Sequence, residues 1–568
     1  MNIQRNIFAG LLIFLVFLTI PFYLDFIGIT TTNDNTVNEM PILLDSNIED
    51  NKNTLSASNT LVKQPNKSQG EVKEEFITIH TDYYSMVLSN RAGGSIVEYQ
   101  LTATNKNLMP KYVGSYDANT YNDSLMVNLI NNPSAQSCTP CFGINGEKMN
   151  GMFTVQNLEN SITLRKGQSR ELVFTYPLNK DEYIEKRIIV NGDGFSYKSE
   201  YAYQLNDNQQ HNLEIIWDNG ILPTEPGEAD IWEGHSSAYI YQNNSLESIT
   251  QGDTINIEEQ RFNDNINWFA IRNKYFGIVV VPDDHMDYAK LSSYNNDTFE
   301  NRPITPIYTA ILGDILNQPI GSNSFTTYIG PLDIDHIQLI GPNVEQIMNF
   351  GWSIIKPFSK MILWLIKSLH AIGLNYGFVL ILLGFLMRII MGPLTKKSAE
   401  SSAKMQEMAP LQKQIQEKYK DNPQQLQKEM GALWKKHGVN PISGCLPMLL
   451  QWPILMSLFI VFRSTIEFRG QPFIFWINDL SQPDYIFSLP FDVPMYGSSV
   501  AVLPIIMGIS MFLTMGITMQ DKSQKPLMYF MNTFFILIFN TFPSALTLYY
   551  TVFNFLSYQQ QLSIKKNK

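Results

Sequence analysis

The sequence predicts a polytopic α-helical membrane protein of six spans, with a large β-sandwich domain on one side of the bilayer and a helical hairpin on the other. Three observations predict it. Apolar runs crowd the first 30 residues and the region after Phe350. The stretch between them is polar, acidic and divided into short alternating segments. One arginine, Arg388, stands deep inside an apolar run. Bulk numbers hide this division. The 568 residues are 44% hydrophobic with a formal net charge of −11, an average over regions of opposite character. Charge therefore has to be read segment by segment.

Residues 7–24 carry no charge, with Arg5 before them and Asp25 after. About 20 apolar residues cross a bilayer. A cleaved signal peptide is the rival reading. The run exceeds the usual apolar core of a signal, contains Pro21 and lacks a small-residue cleavage site, which favours an uncleaved anchor over residues 1–30. Residues 31–72 are rich in Asn, Ser, Asp, Lys and Thr without periodicity and form a linker.

Residues 73–342 read as β. Phe195, Tyr197, Tyr201, Tyr203 and Leu205 share one face at period two, and the turn Asn191-Gly192-Asp193-Gly194 precedes them, which is a hairpin pattern. Short strands are also predicted at 77–80, 86–88, 162–164, 172–176 and 277–281. Many short strands without intervening helices predict a β-sandwich. Cys138 and Cys141 form Cys-Thr-Pro-Cys. No second pair or His cluster completes a metal site, and no strand-then-helix frame makes it thioredoxin-like. A local disulfide or two idle thiols remain.

Residues 343–371 predict an amphipathic helix. Phe358, Met361, Ile362, Leu365 and Leu369 form its apolar stripe, opposite Lys356, Lys360 and Lys367. Such a helix lies in the membrane interface or docks on the β-domain; its place just before a span favours the interface. Spans follow at about 373–393, 444–463, 499–518, 526–542 and 543–560. The loop at 395–440, the short loop at 521–525 and the tail at 564–568 hold the lysines, and all three fall on one side. That side is the cytoplasm by the positive-inside rule, which puts both termini inside and the β-domain outside. The 395–440 loop is itself patterned. Met405, Met408, Leu411 and Ile415 recur at helical spacing. Asn422-Pro423 caps a second helix carrying Leu426, Met430 and Leu433. The two helices form a hairpin. Their stripes either pack on each other or offer a Met-rich docking surface through Met405, Met408, Met430 and Leu433.

Arg388 carries the most information. Eleven uncharged residues separate it from Tyr376, and Lys396 lies eight residues on. At about 1.5 Å per residue, Arg388 sits roughly 12 Å deeper than Lys396. A mid-span arginine costs on the order of 3 kcal/mol, so a polar or water-filled cavity is expected. Snorkelling to the headgroups is the alternative, and the reach is long for it. Gln451, Thr514, Thr518, Tyr549, Tyr550 and Asn554 are polar groups on other spans that can line the same cavity. No intramembrane carboxylate pairs with Arg388, which argues against a proton relay. No HExxH, phosphate loop or nucleophile elbow is present, so neither an enzyme nor a cofactor or metal site is expected. No repeat relates the spans, as a secondary transporter would require. A membrane-anchored carbohydrate-binding or envelope-assembly protein would need one anchor only.

Three separated motifs in order carry a resemblance. The run from Asn375-Tyr-Gly-Phe through Met387-Arg388 to Pro393-Leu-Thr395 resembles the second span of the YidC insertases. Residues 439–453, Val-Asn-Pro-Ile-Ser-Gly-Cys-Leu-Pro through Gln451-Trp-Pro, resemble the start of that family's third span. Residues 542–561, from Phe-Pro-Ser-Ala-Leu-Thr-Leu-Tyr549-Tyr550 to Gln-Gln-Gln, resemble its last span. With the anchor and outer domain, the likeness covers nearly the whole chain, in the form found in Gram-negative bacteria. The resemblance implies a five-span insertase core over residues 372–563 in the inner membrane and a periplasmic domain similar to a sugar-binding supersandwich. It implies a hydrated groove, closed toward the periplasm, that takes a substrate's hydrophilic tail while the apolar segment slides into lipid. The implied groove residues are Arg388, Gly384, Gln451, Thr514, Tyr549 and Tyr550. Gly384 stands where the family carries a hydroxyl residue. Nascent membrane proteins, the Sec translocon, ribosome–nascent chain complexes and the lipid bilayer are the implied partners, with no specific nucleic acid sequence.

Overall fold

The computed structural model describes residues 73–568, apart from 106–107, 118–119, 133–137, 157, 180, 206–209, 227–235, 251–256, 296–305, 317, 421, 438–445, 494–495, 519–524 and 567–568. The expected first span at 7–24 and the linker at 31–72 lie outside the described residues.

Two sheets and a two-stranded hairpin, Val113–Asp117 with Thr120–Met126, build the outer region. A five-stranded sheet runs in the order Ser161–Thr163, Phe76–His80, Tyr84–Ser89, Ser95–Leu101, Asn128–Asn131. A larger sheet of 14 strands lies against it. The expected hairpin is present: Tyr183–Asn191 pairs antiparallel with Ser196–Gln204. Its alternating side chains Tyr197, Tyr201 and Tyr203 are buried, as period-two patterning requires. The sheets share one core. The Tyr99 hydroxyl on the small sheet donates to the Ile329 carbonyl on the large one at 2.9 Å, and the Tyr83 and Phe195 rings meet edge-on at 5.2 Å. Burial of such aromatic bodies supplies most of the driving force. Cys138 and Cys141 form a disulfide.

The chain leaves the sheets through a helical turn at Ile334–Ile337 and a 3-10 turn at Val344–Met348. Trp268 donates from its indole to the Pro342 carbonyl at 2.8 Å, and the buried Arg272 guanidinium donates to the Ile347 carbonyl. This exit is therefore stitched to the sheet domain. Among the described residues eight α-helices follow: α1 Lys356–Ala371, α2 Tyr376–Glu407, α3 Ala409–Lys418, α4 Pro423–Lys436, α5 Leu446–Ser464, α6 Leu503–Thr518, α7 Lys525–Phe539 and α8 Ser544–Lys566. Among the described residues, one helical window, Tyr376–Pro393, has by itself the length and apolar composition to cross a bilayer. Trp452–Ser464, Leu503–Gly516 and Tyr529–Phe539 are shorter apolar stretches.

Helix α1 divides its apolar residues between two faces. Its buried face is Ser359, Ile362, Leu363 and Ile366, whereas Met361 and Trp364 point outward. The reason lies in its neighbours. The inner face packs on α5, where the Ser457 hydroxyl reaches the Ile355 carbonyl at 3.4 Å. The other face, carrying large apolar groups, is left to the surroundings.

Candidate functional site

Arg388 lies on α2 between two faces. Phe378, Leu382, Phe385 and Ile389 are exposed, and their i, i+4, i+7, i+11 spacing makes one outward stripe. Val379, Leu380, Leu383 and Met387 are buried on the opposite side. Arg388 is half-buried at the boundary. Its guanidinium carbon stands 5.6 Å from the centroid of the Phe553 ring on α8. Its Nε is buried with no hydrogen-bond partner, and no ion pair to it occurs among the described residues. A buried donor without a partner costs free energy until water or a ligand group meets it.

The other expected groove residues fall into different settings. Gly384, one turn before Arg388, is at the crossing of α2 and α8: a Cβ there would lie 3.1 Å from Val552 Cγ1. Its role in the geometry is close packing. The Thr514 hydroxyl on α6 lies 2.9 Å from the Ser510 carbonyl and 3.2 Å from the Asn554 carbonyl of α8, so it binds two helices together. Tyr549 is 1% exposed, meets Phe462 edge-on at 5.8 Å and stacks with Phe553 at 6.0 Å. Tyr550 is partly buried, edge-on to Phe539 at 5.5 Å. Arg388 and Tyr549 therefore share one aromatic neighbour, Phe553. The Gln451 side chain lies outside the described residues.

The hairpin of the 395–440 loop begins on the extension of α2. Met408 is buried. Asn422 caps α4 by accepting from the Gln425 amide at 3.2 Å, with Pro423 at the first helical position. No residue of α4 is fully buried, so Leu426, Met430 and Leu433 keep part of their apolar surface open. The Met405 side chain lies outside the described residues.

Sequence reasoning missed a second charged site, at the junction of sheet domain and helices. Arg469 and Glu225 form an ion pair at 2.6 Å, with side chains 4% and 2% exposed. Arg469 also donates to the carbonyls of Val113 at 2.6 Å, Gly114 at 3.1 Å and Thr224 at 3.1 Å. Beside it, Lys367 of α1 lies 2.6 Å from Asp333, 2.6 Å from Asp335 and 3.1 Å from Glu467. Burial opposes the charge on Lys367, but Glu467 and the two aspartates outweigh it and hold the ammonium protonated, its pKa raised. Tyr376, at the start of α2, donates to Glu467 at 2.5 Å. The signal available in sequence was faint: Glu467 and Arg469 stand directly after an apolar run, yet the hydrogen-bond partners of the Arg469 side chain lie at least 244 residues away and Tyr376, a partner of Glu467, lies 91 away. Among the described residues no group of three or more His, Cys, Asp or Glu is placed to hold a metal.

Residues 76–365 match the family described as YidC periplasmic domain, and residues 367–568 match 60Kd inner membrane protein. A protein of Chlorobium limicola named Membrane protein insertase YidC is 31% identical over 504 residues, covering 86% of this chain and 82% of that one. The protein of the same name from Prosthecochloris aestuarii is 33% identical over 523 residues, covering 88% and 84%. A solved structure of an active YidC insertase, with its first transmembrane domain resolved, aligns over 88% of this chain and 93% of that chain at 17% identity and a TM-score of 0.34.

Proposed function

The chain belongs to the YidC family of membrane protein insertases, and from that premise we propose that it moves the hydrophilic flank of a nascent membrane protein past Arg388 while the adjoining apolar segment enters lipid along α2. The activity is not enzymatic: no covalent bond is made or broken. One observation carries the reading. Arg388 is a cation in an apolar helix with an unmatched donor and an aromatic ring as its neighbour. A fixed positive group of this kind attracts an acidic or polar segment and lowers the cost of desolvating it in steps. Burial of the apolar segment then drives completion. The exposed stripe Phe378, Leu382, Phe385 and Ile389 supplies the sliding surface next to the charge.

The protein resides in the inner membrane with its sheet-rich domain in the periplasm. The finer topology is part of the proposal: six spans, both termini in the cytoplasm, and domain limits at 30, 72, 342, 371 and 563. Its support is the placement of the lysines on one side. The half-open apolar face of α4, flanked by Lys428, Lys435 and Lys436, suits a ribosome–nascent chain complex, and the Sec translocon is the second partner proposed.

The test is insertion by the purified full chain in liposomes. A single-span substrate with an acidic N-terminal tail is added, and protection of that tail from external protease is read. Protection above empty liposomes is expected. No gain from a folded, correctly oriented protein overturns autonomous insertion and leaves an assistant that needs other machinery.

A further inference from the structure

We propose that the outer loop between α5 and α6 seats an aromatic foot in the outer-leaflet interface, with lipid as its partner; this rests on the outward assignment of that loop. Phe475 is 85% exposed and holds φ +59, a left-handed backbone that a bulky side chain seldom adopts. Ile474 and Trp476 beside it, and Ile486, Phe487 and Phe491 on the strand Tyr485–Val493 of the same loop, are exposed. Such strain persists only where the surroundings over-determine it, and several bonds do. The Asn375 amide donates to the Pro472 carbonyl at 2.9 Å, and the Phe378 and Phe473 rings meet edge-on at 5.2 Å. Gly377 makes room: a Cβ there would fall 2.0 Å from the Phe473 ring. The Asp484 carboxylate accepts from the Trp476 indole at 2.9 Å and from the Val502 and Leu503 amides at 3.1 and 2.8 Å. Asn540 accepts from the Ala501 amide at 2.9 Å, fastening the hairpin of Tyr485–Val493 and Gly497–Ala501.

These ties fix the foot beside the first turn of the Tyr376–Pro393 window, which is where a span meets the headgroups. The exposed stripe of α2 starts there, at Phe378, and runs on into the loop. Aromatic side chains favour this level of a bilayer. Residues 470–502 contain no Lys or Arg and carry Asp479, Asp484 and Asp492. The attraction is therefore apolar burial, indifferent to headgroup charge.

The test places a nitroxide at position 475 by F475C in the full chain, with C445S removing the free thiol. The protein is held in phosphatidylcholine nanodiscs, and collisions with oxygen and with a water-soluble nickel chelate are compared. F530C serves as the lipid reference and I320C as the aqueous one. The expected oxygen-to-nickel ratio is several-fold above that at 320, within about twofold of that at 530, and unchanged when phosphatidylglycerol is added. A label at F487C gives the same reading independently of the fold of the first variant. A ratio like that at 320 overturns the proposal, since the loop then lies in water. Low collision with both reagents overturns it in favour of a protein partner. An aqueous reading at 530 overturns the span assignment itself, and the proposal with it.

Discussion

Arg388 and Arg469 sit in the same helical region and are treated in opposite ways. Arg469 meets a carboxylate and three carbonyls, all within 3.1 Å, and every part of its fork is used. Arg388 meets the face of Phe553 at 5.6 Å, and its Nε meets nothing. The difference separates two uses of one side chain. A cation whose partners are all supplied by the fold is a tie, and nothing that arrives later can bond it. A cation left short of partners is costly at rest and becomes satisfied only by water or by a passing group.

The largest effect tests the tie. R469A leaves the Glu225 carboxylate buried and uncompensated, and an expected loss on the order of 3–5 kcal/mol is read by denaturant unfolding of the full chain in detergent. Adding E225A should cost little more, or restore some stability. Strictly additive losses would show that the two residues act separately.

Lys186 sharpens the comparison from within the sheet domain. It is fully buried, with carbonyls of Gly94 and Pro140 at 3.5 Å and the Tyr201 ring at 5.2 Å, and has no carboxylate partner among the described residues. Burial pushes its pKa down from 10.5 to about 7. An unfolded chain holds this proton below about 10.5, whereas the fold gives it up above about 7. The group therefore penalises folding most at and below pH 7, and stability rises between pH 7 and 10.5. K186M is expected to stabilise by roughly 1–3 kcal/mol near neutral pH and to flatten that rise. An unchanged pH profile would mean the amine finds water in the fold.

Arg388 gives a smaller stability effect and a larger functional one. R388A should change stability by less than about 1 kcal/mol, because the contact with the Phe553 ring is lost but no ion pair within the described fold is. Insertion of an acidic-tailed substrate should fall several-fold, with R388K keeping much of the activity. Equal losses of stability in R388A and R469A would erase the contrast. M430E on α4 should shift stability by no more than about 0.5 kcal/mol, since the site is not buried, while lowering crosslinking to ribosome–nascent chain complexes.

What was legible in the sequence followed period and composition. The hairpin at Asn191 and Gly194, the caps at Asn422 and Pro423, and the β character of residues 73–342 were all readable because each is set by local pattern. Arg388 was readable because a charge in an apolar run is conspicuous. The α1 stripe was readable as an apolar face, but which of its residues pack on α5 was not, since both sides of the helix carry large apolar groups. The tie at Arg469 was hidden for a different reason. Its partners Val113, Thr224 and Glu225 are more than 200 residues away, and no period links residues that meet only through the fold. Gly384 read as a groove position by resemblance, and its close approach to Val552 is a packing feature that resemblance did not signal.

Helix α2 has one more consequence. It runs 32 residues without a break, about 48 Å at 1.5 Å per residue, against a hydrocarbon thickness near 30 Å. It is thus a rod longer than the layer its Tyr376–Pro393 window is long enough to cross, and its remainder leads to the hairpin at Met408. A load applied to that hairpin acts on a lever arm, with Arg388 on the same shaft. The shaft is softest at Pro393, where one rung of the backbone ladder is missing, so bending there would swing the hairpin while leaving the arginine in register with Phe553.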